Sequence, residues 1–167
     1  MMLPYVMMAL VTLQRLSELI IARRNTKRLM AQGAIEYGAG HYPAMVTMHG
    51  AWLAVLWFSV GQRPVNLLLL GLFLVLQALR VWVLVMLGPR WTTRIIVLPG
   101  APLVARGPFR WVSHPNYCVV TAEIAVLPLT FGLIGIAALF TLLNAAMLYV
   151  RIGAEARALR GNAALTA

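Results

Sequence analysis

The last apolar stretch of the chain, Tyr117 to Val150, runs for 34 residues with Glu123 as its one charged side chain. A straight helix of that length would reach roughly 50 Å at 1.5 Å per residue, against a hydrocarbon core of about 30 Å. The stretch is too long for one membrane span and too apolar for a water-facing surface. Pro128, Gly132 and Gly135 supply a break, so the segment reads as a hairpin of two helices, 115–130 and 134–158. Three more apolar runs precede it: Met2–Ile21, Ala44–Gly61 and, after a tight Gln62-Arg63-Pro64 turn, Val65–Gly88. The expectation is an all-α integral membrane protein of about five transmembrane helices, over 2–21, 44–61, 65–88, 115–130 and 134–158. It forms one membrane domain, 1–167, with longer loops at 22–43 and 89–114. The first run lacks a basic leader and a small-residue cleavage site, and Arg15 and Glu18 interrupt it. It reads as a retained helix, not a signal peptide.

Charge then orients the chain. A net charge of +10 would suggest nucleic acid in a soluble protein. Here 62% of residues are hydrophobic and no basic stripe with interleaved aromatics appears, so nucleic acid is not an expected partner. Arg23, Arg24, Lys27 and Arg28 follow the first helix, Arg90, Arg94, Arg106 and Arg110 fall between the third and fourth, and Arg151, Arg157 and Arg160 close the chain. With five spans these share one side, which the enrichment of Lys and Arg in short cytoplasmic loops assigns to the cytoplasm. The N-terminus is then outside and the C-terminus inside. Cys118 is the single cysteine and there is no Asp, so an intramolecular disulfide and a cysteine zinc site are excluded. His41 and His49 are eight apart, a spacing that does not stack two ligands on one helix turn, and no metal is expected. His49 reads instead as a polar contact within the second helix.

The chemistry gathers at the cytoplasmic ends. In Arg106-Gly-Pro-Phe-Arg-Trp-Val-Ser-His-Pro-Asn-Tyr117, Pro115 suits a first helical turn and holds His114 out of helical geometry. The fourth helix therefore starts at the surface with free N–H groups that favour an anionic ligand group. In an antiparallel hairpin the fifth helix ends beside it, bringing Arg151 and Glu155, which are i and i+4 on one face, to His114, Asn116 and Tyr117. A boundary ion pair is the plain reading of Arg151 and Glu155; a pocket for a zwitterionic, partly cationic ligand is the functional one. Glu123, two turns into the fourth helix, is costly in a bilayer unless paired or facing a cavity, and reads as functional. Arg80 either neutralises Glu123 or contacts an acidic substrate, and Arg15 with Glu18 reads as an interhelical clasp. His41 and Tyr42 are interfacial. No dinucleotide-binding or phosphate-binding glycine loop is present.

The run Gly107–Tyr117, Glu123 beyond it, and Arg151-Ile-Gly-Ala-Glu155 at the end resemble the isoprenylcysteine carboxyl methyltransferase family of integral membrane methyltransferases. Glu36–Tyr42, Leu79-Arg-Val-Trp82, Leu87–Arg94 and Pro99–Val104 resemble its small bacterial members, in the subgroup whose genes often accompany type III polyketide synthases. The resemblance covers nearly the whole chain. Membrane sterol reductases and phospholipid N-methyltransferases carry segments similar to His114-Pro-Asn-Tyr117. The resemblance implies S-adenosylmethionine as cofactor and a lipid-like acceptor entering from the bilayer. It implies cofactor contacts at His114, Pro115, Asn116, Tyr117, Arg151 and Glu155, with Trp111 or Tyr117 as an aromatic face for the sulfonium. Catalytic roles fall to Glu123, Arg151 and His114, and acceptor contacts to Arg80, His41 and Tyr42. Ser113 departs from the family, which commonly has a basic residue there. The expected activity is O-methylation of a carboxyl or hydroxyl group on a lipophilic acceptor such as an alkylpyrone, an alkylresorcinol or an isoprenylcysteine-like molecule. The alternatives are a phospholipid N-methyltransferase, an NADPH-dependent membrane reductase, or a non-enzymatic transporter subunit or scaffold.

Overall fold

The computed structural model describes residues 2–102 and 104–165, with side chains to Arg160. Leu103, inside the Pro99–Val104 motif, lies outside the described residues. Five α-helices make up the body: α1 (Leu3–Ala31), α2 (Tyr42–Ser59), α3 (Leu67–Leu87), α4 (Pro115–Thr130) and α5 (Ile134–Leu165). Three helical segments, Leu3–Ala31, Leu67–Arg90 and Ile134–Arg160, are long and apolar enough to cross a membrane.

The ends of the helices follow local chemistry. Asn66 caps α3 by accepting from the Leu68 and Leu69 amides, both at 3.1 Å. Its own N–H donates to the Thr130 carbonyl at 2.9 Å, which ties the start of α3 to the end of α4. The hairpin turns at Phe131–Leu133, where the Gly132 amide reaches the Leu129 carbonyl and Gly132 takes φ +71°. Pro128 stays inside α4, so the break belongs to the glycine, the residue that enters the left-handed region without strain.

Two boundaries differ from expectation. Helix α1 does not stop at Ile21 but continues to Ala31, so the Arg23–Arg28 cluster lies on a helix, not in a loop. Nothing before Gly33, at φ +86°, breaks helical geometry there, and polar residues extend a helix beyond an apolar core as readily as apolar ones. Helix α5 likewise runs to Leu165, past the expected end at 158. The expected loops also hold a small sheet: β1 (Ile35–Tyr37) pairs antiparallel with β2 (Ile95–Val97), Ile35 opposite Val97. This ribbon packs through Ile95, Tyr37 and Val97 on Ala154 and Ala158 of α5, two small residues one turn apart. Strands this short, far apart in sequence, leave no periodicity to read.

The main core lies among all five helices, with Met8, Trp52, Leu56, Ile124, Leu127 and Phe131 at its centre. Large apolar side chains such as Phe58, Leu68 and Leu142 point outward, the arrangement expected where lipid replaces water as solvent. Between α1, α3 and α4 lies a closed charge cluster. Arg80 clamps Glu18 with two bonds of 2.6 Å and reaches Glu123 at 3.0 Å. Arg15 bridges the same two carboxylates, at 3.2 Å and 2.7 Å. Gln14 donates to Glu18 and Gln77 to Glu123. Two cations and two anions cancel, so the group can sit away from water. The expected Arg15–Glu18 clasp is present, and Arg80 neutralises Glu123.

Candidate active site

Contacts between helix ends gather the chemistry at one end of the bundle. Asn25 of α1 donates to the Gly88 and Trp91 carbonyls beyond α3. Arg151 of α5 reaches the Met45 sulfur of α2, and Tyr117 of α4 donates to Glu155 of α5. The basic residues of the sequence reading, apart from Arg15, Arg63 and Arg80, belong to segments at this end.

Helix α4 begins as its sequence requires. His114 sits at φ −129°, ψ 60°, and Pro115 opens the helix. The first backbone bonds run from the Tyr117 and Cys118 amides to the His114 carbonyl, which leaves the Asn116 backbone N–H without a partner among the described residues. The His114 ring stacks on Tyr117 with centroids 5.1 Å apart and planes 10° apart. The Tyr117 hydroxyl donates to Glu155 Oε2 at 2.5 Å and accepts from Arg151 Nε at 2.9 Å. Arg151 and Glu155, i and i+4 on α5, are thus joined through a tyrosine instead of to each other. The Arg151 guanidinium carbon is also 5.5 Å from the Tyr117 ring centre, and His114 Nδ1 is 3.8 Å from Glu155 Oε2.

These residues form one side of a cavity of about 520 Å³, in the range of small-molecule sites. His114, Pro115, Asn116, Tyr117, Arg151 and Glu155 all line it. The opposite wall is Trp91–Thr92, Arg94–Leu98 and part of the 101–105 loop. Asn116 Oδ1 and Trp91 Nε1, buried atoms of wall residues, have no hydrogen-bond partner among the described residues. Buried polar atoms rarely stay unpaired, so the packing behind this part of the wall is incompletely satisfied. A cation, a carboxylate, a free helix amide and two stacked rings in a cavity of this size suit an amino-acid zwitterion joined to an aromatic, polar remainder.

Other expected site residues lie elsewhere. Arg80 and Glu123 belong to the charge cluster and are absent from the cavity wall. Trp111 is exposed and packs against Trp82, 6.3 Å between ring centres, also outside the wall. Tyr42 hydrogen-bonds Thr93 at 3.1 Å, and Arg94 lies 4.1 Å over its ring while pairing with Glu36 at 2.5 Å. Tyr42 therefore braces the wall from behind. His41 sits against Gly38, where an added Cβ would meet its ring. Burial, then the Arg151 charge, holds its pKa below the ordinary histidine value, so it is neutral near pH 7. Nothing in the sequence marks Trp91 to Leu98 as a cavity wall, although Leu87–Arg94 carries the family resemblance; the pairing of β2 with β1 is what turns it toward α5. Among the described residues no three His, Cys, Asp or Glu side chains converge as a metal site requires.

The chain is 39% identical to the uncharacterized protein YpbQ of Bacillus subtilis over 161 residues, 93% of this chain and 96% of that protein. It is 27% identical to an uncharacterized protein of Haemophilus influenzae over 108 residues, 62% of this chain and 63% of that one. No solved structure matches significantly. The isoprenylcysteine carboxyl methyltransferase family model matches residues 69–161, a span that holds most of α3, all of α4 and the Arg151/Glu155 segment of α5. The chain belongs to the isoprenylcysteine carboxyl methyltransferase (ICMT) family of membrane methyltransferases.

Proposed function

We propose that the protein is an S-adenosylmethionine-dependent O-methyltransferase of the bacterial inner membrane, with its site on the cytoplasmic face and a lipophilic acceptor, such as an alkylpyrone or alkylresorcinol polyketide. The observation that carries this reading is the Arg151–Tyr117–Glu155 relay beside the unpartnered Asn116 in a cavity of about 520 Å³. Family members use S-adenosylmethionine, and the residues present fit it. Arg151 and the free Asn116 amide would hold its carboxylate by charge and at the positive end of α4. Glu155 and the stacked faces of Tyr117 and His114 would stabilise its sulfonium, the rings by cation–π attraction.

When bound, the cofactor supplies an electrophilic methyl group on a positively charged sulfur. The chain's own part is alignment and exclusion of water. Tyr117 fixes Arg151 and Glu155 in one geometry, so neither must reorganise when the ligand arrives, and preorganisation of this kind lowers the cost of binding and of an in-line attack. The wall from Ile95 to Leu98 is apolar and, once the cavity is filled, would limit water beside the reacting centre. His114, 3.8 Å from Glu155, is the residue placed to take a proton from an un-ionised hydroxyl acceptor. Glu123, with both oxygens bonded to Arg15, Arg80 and Gln77, serves to hold the helices together.

Calorimetric titration of the purified protein with S-adenosylmethionine tests the reading. Saturable binding that is lost in Arg151→Ala and Glu155→Ala, together with methyl transfer from labelled cofactor into membrane lipid, is the expected result. Silence toward the cofactor with saturable binding of NADPH would replace it with a membrane reductase. Silence toward both, with unimpaired function in the two variants, would point to a non-enzymatic membrane protein.

A further inference from the structure

The side-chain carboxylates of the chain are Glu18, Glu36, Glu123 and Glu155, and each is engaged elsewhere than on Arg151. Glu18 and Glu123 hold Arg15 and Arg80, Glu36 pairs with Arg94, and Glu155 accepts from the Tyr117 hydroxyl. Arg151 is nonetheless buried, at 6% exposure, and among the described residues it forms no ion pair. A guanidinium taken out of water ordinarily has an anion beside it. This one is held between two neutral acceptors instead. Its Nε donates to the Tyr117 hydroxyl at 2.9 Å, and its Nη1 lies 2.8 Å from the Met45 sulfur. Met45 is in the first turn of α2, one turn beyond His41 and one before His49, and α2 contains no acidic residue. Arg151 lines the cofactor cavity and Met45 does not, so the sulfur grips the guanidinium from behind. The family match begins at residue 69, so family membership assigns Met45 no role.

We infer that Met45 is a positioning residue of the cofactor site, whose thioether holds the Arg151 guanidinium in place without neutralising it and so keeps that charge available to a ligand carboxylate. The inference rests on the methyltransferase reading and makes the amino-acid carboxylate of the cofactor the group that Arg151 discriminates. A thioether sulfur is a weak acceptor with no formal charge. A carboxylate in its place would form a charge-assisted bond with Arg151, and the ligand would have to displace it. A hydrocarbon in its place would leave Nη1 without that partner and the side chain free to change rotamer, and reordering it would weaken binding. Methionine avoids both costs. Glu155 does not undo the arrangement, because the Tyr117 hydroxyl stands between, giving its proton to Glu155 and a lone pair to Arg151.

The test compares wild type with Met45→Leu, Met45→Gln and Met45→Glu, as full chains in neutral detergent. Each is titrated calorimetrically with S-adenosylmethionine and with decarboxylated S-adenosylmethionine. The second ligand keeps the sulfonium, the amine and the nucleoside but lacks the carboxylate, so it reports on folding and on the rest of the pocket. Wild type should prefer S-adenosylmethionine by about tenfold or more, as expected for a charge-assisted contact. Met45→Leu should lose about three- to tenfold in S-adenosylmethionine affinity. Met45→Gln, which restores a neutral acceptor, should stay within about twofold of wild type. Met45→Glu should lose the preference altogether, and all three variants should bind the decarboxylated ligand as wild type does. Wild-type affinity for S-adenosylmethionine in Met45→Leu or in Met45→Glu would overturn the assignment, as would a Met45→Gln variant no better than Met45→Leu. Equal losses for the two ligands would make Met45 a packing residue and also overturn it. If wild type binds neither ligand, the methyltransferase reading falls and this role with it. If wild type binds both equally well, the cofactor reading stands and the role of Met45 alone is overturned.

Discussion

Replacing Glu123 by Gln separates a structural from a catalytic carboxylate. Glu123 is fully buried and is bonded to Arg15 at 2.7 Å, Gln77 at 2.9 Å and Arg80 at 3.0 Å. The substitution keeps the shape and one acceptor but leaves two guanidinium groups facing the single carboxylate of Glu18. Uncompensated buried charge of this kind costs about 3–5 kcal/mol, whereas an ordinary interhelical hydrogen bond in a membrane protein averages only about 0.6 kcal/mol. The expected loss therefore exceeds what the hydrogen bonds alone would give. It is measured by reversible unfolding in mixed micelles with increasing dodecyl sulfate. Pairing the change with Arg15→Gln restores neutrality and should recover about 2 kcal/mol, a coupling within the range for residues in one network. Methyl transfer per folded molecule should change little. A loss near 0.6 kcal/mol with no recovery in the double variant would refute the charge-balance argument. Intact stability with abolished turnover would make Glu123 a catalytic base.

The remaining predictions concern the site end of the bundle. Tyr117→Phe keeps the ring stacked on His114 but removes the hydroxyl joining Arg151 to Glu155; S-adenosylmethionine affinity should fall about tenfold by calorimetry, about 1.4 kcal/mol. Unchanged affinity would show that the relay does not order the pocket. Gly107 has φ +60°, and an added Cβ would come 2.7 Å from Met86 Cγ. Gly107→Ala should therefore destabilise the protein by about 1–2 kcal/mol, chiefly through left-handed backbone strain, because the Met86 side chain can move aside. Comparing its midpoint with that of Gly100→Ala, where φ is also positive but nothing lies within 4 Å, isolates the contribution of the contact.

The helices were legible because their causes are local. The 34-residue run with a glycine inside it implies a hairpin whatever it packs against, and α4 starts at Pro115 and ends at Thr130 as expected. The juxtaposition of His114–Tyr117 with Arg151 and Glu155 was also accessible, since an antiparallel hairpin of two helices brings those ends together. Apolarity alone ends α1 too early, because it reports where a helix meets lipid or core, while the true end at Ala31, before Gly33, depends on backbone geometry. The wall facing Tyr117 was not legible, because β1 and β2 are three residues each and find one another across the chain. Trp111, conspicuous in sequence, proved to be exposed.

Glu123 and Arg80 mark the division most clearly. Sequence by itself determined that charges embedded in apolar helices require partners, because solvation inside a bilayer offers none. It also determined that the basic segments and the helix-end chemistry belong together at one end. Only the tertiary structure decided that Glu123 is consumed by Arg15 and Arg80, and that Tyr117 stands between Arg151 and Glu155. Helix formation is settled within a few residues by backbone bonding and apolar burial. Which side chains meet depends on the rotation and register of whole helices against one another, and a single sequence leaves that free.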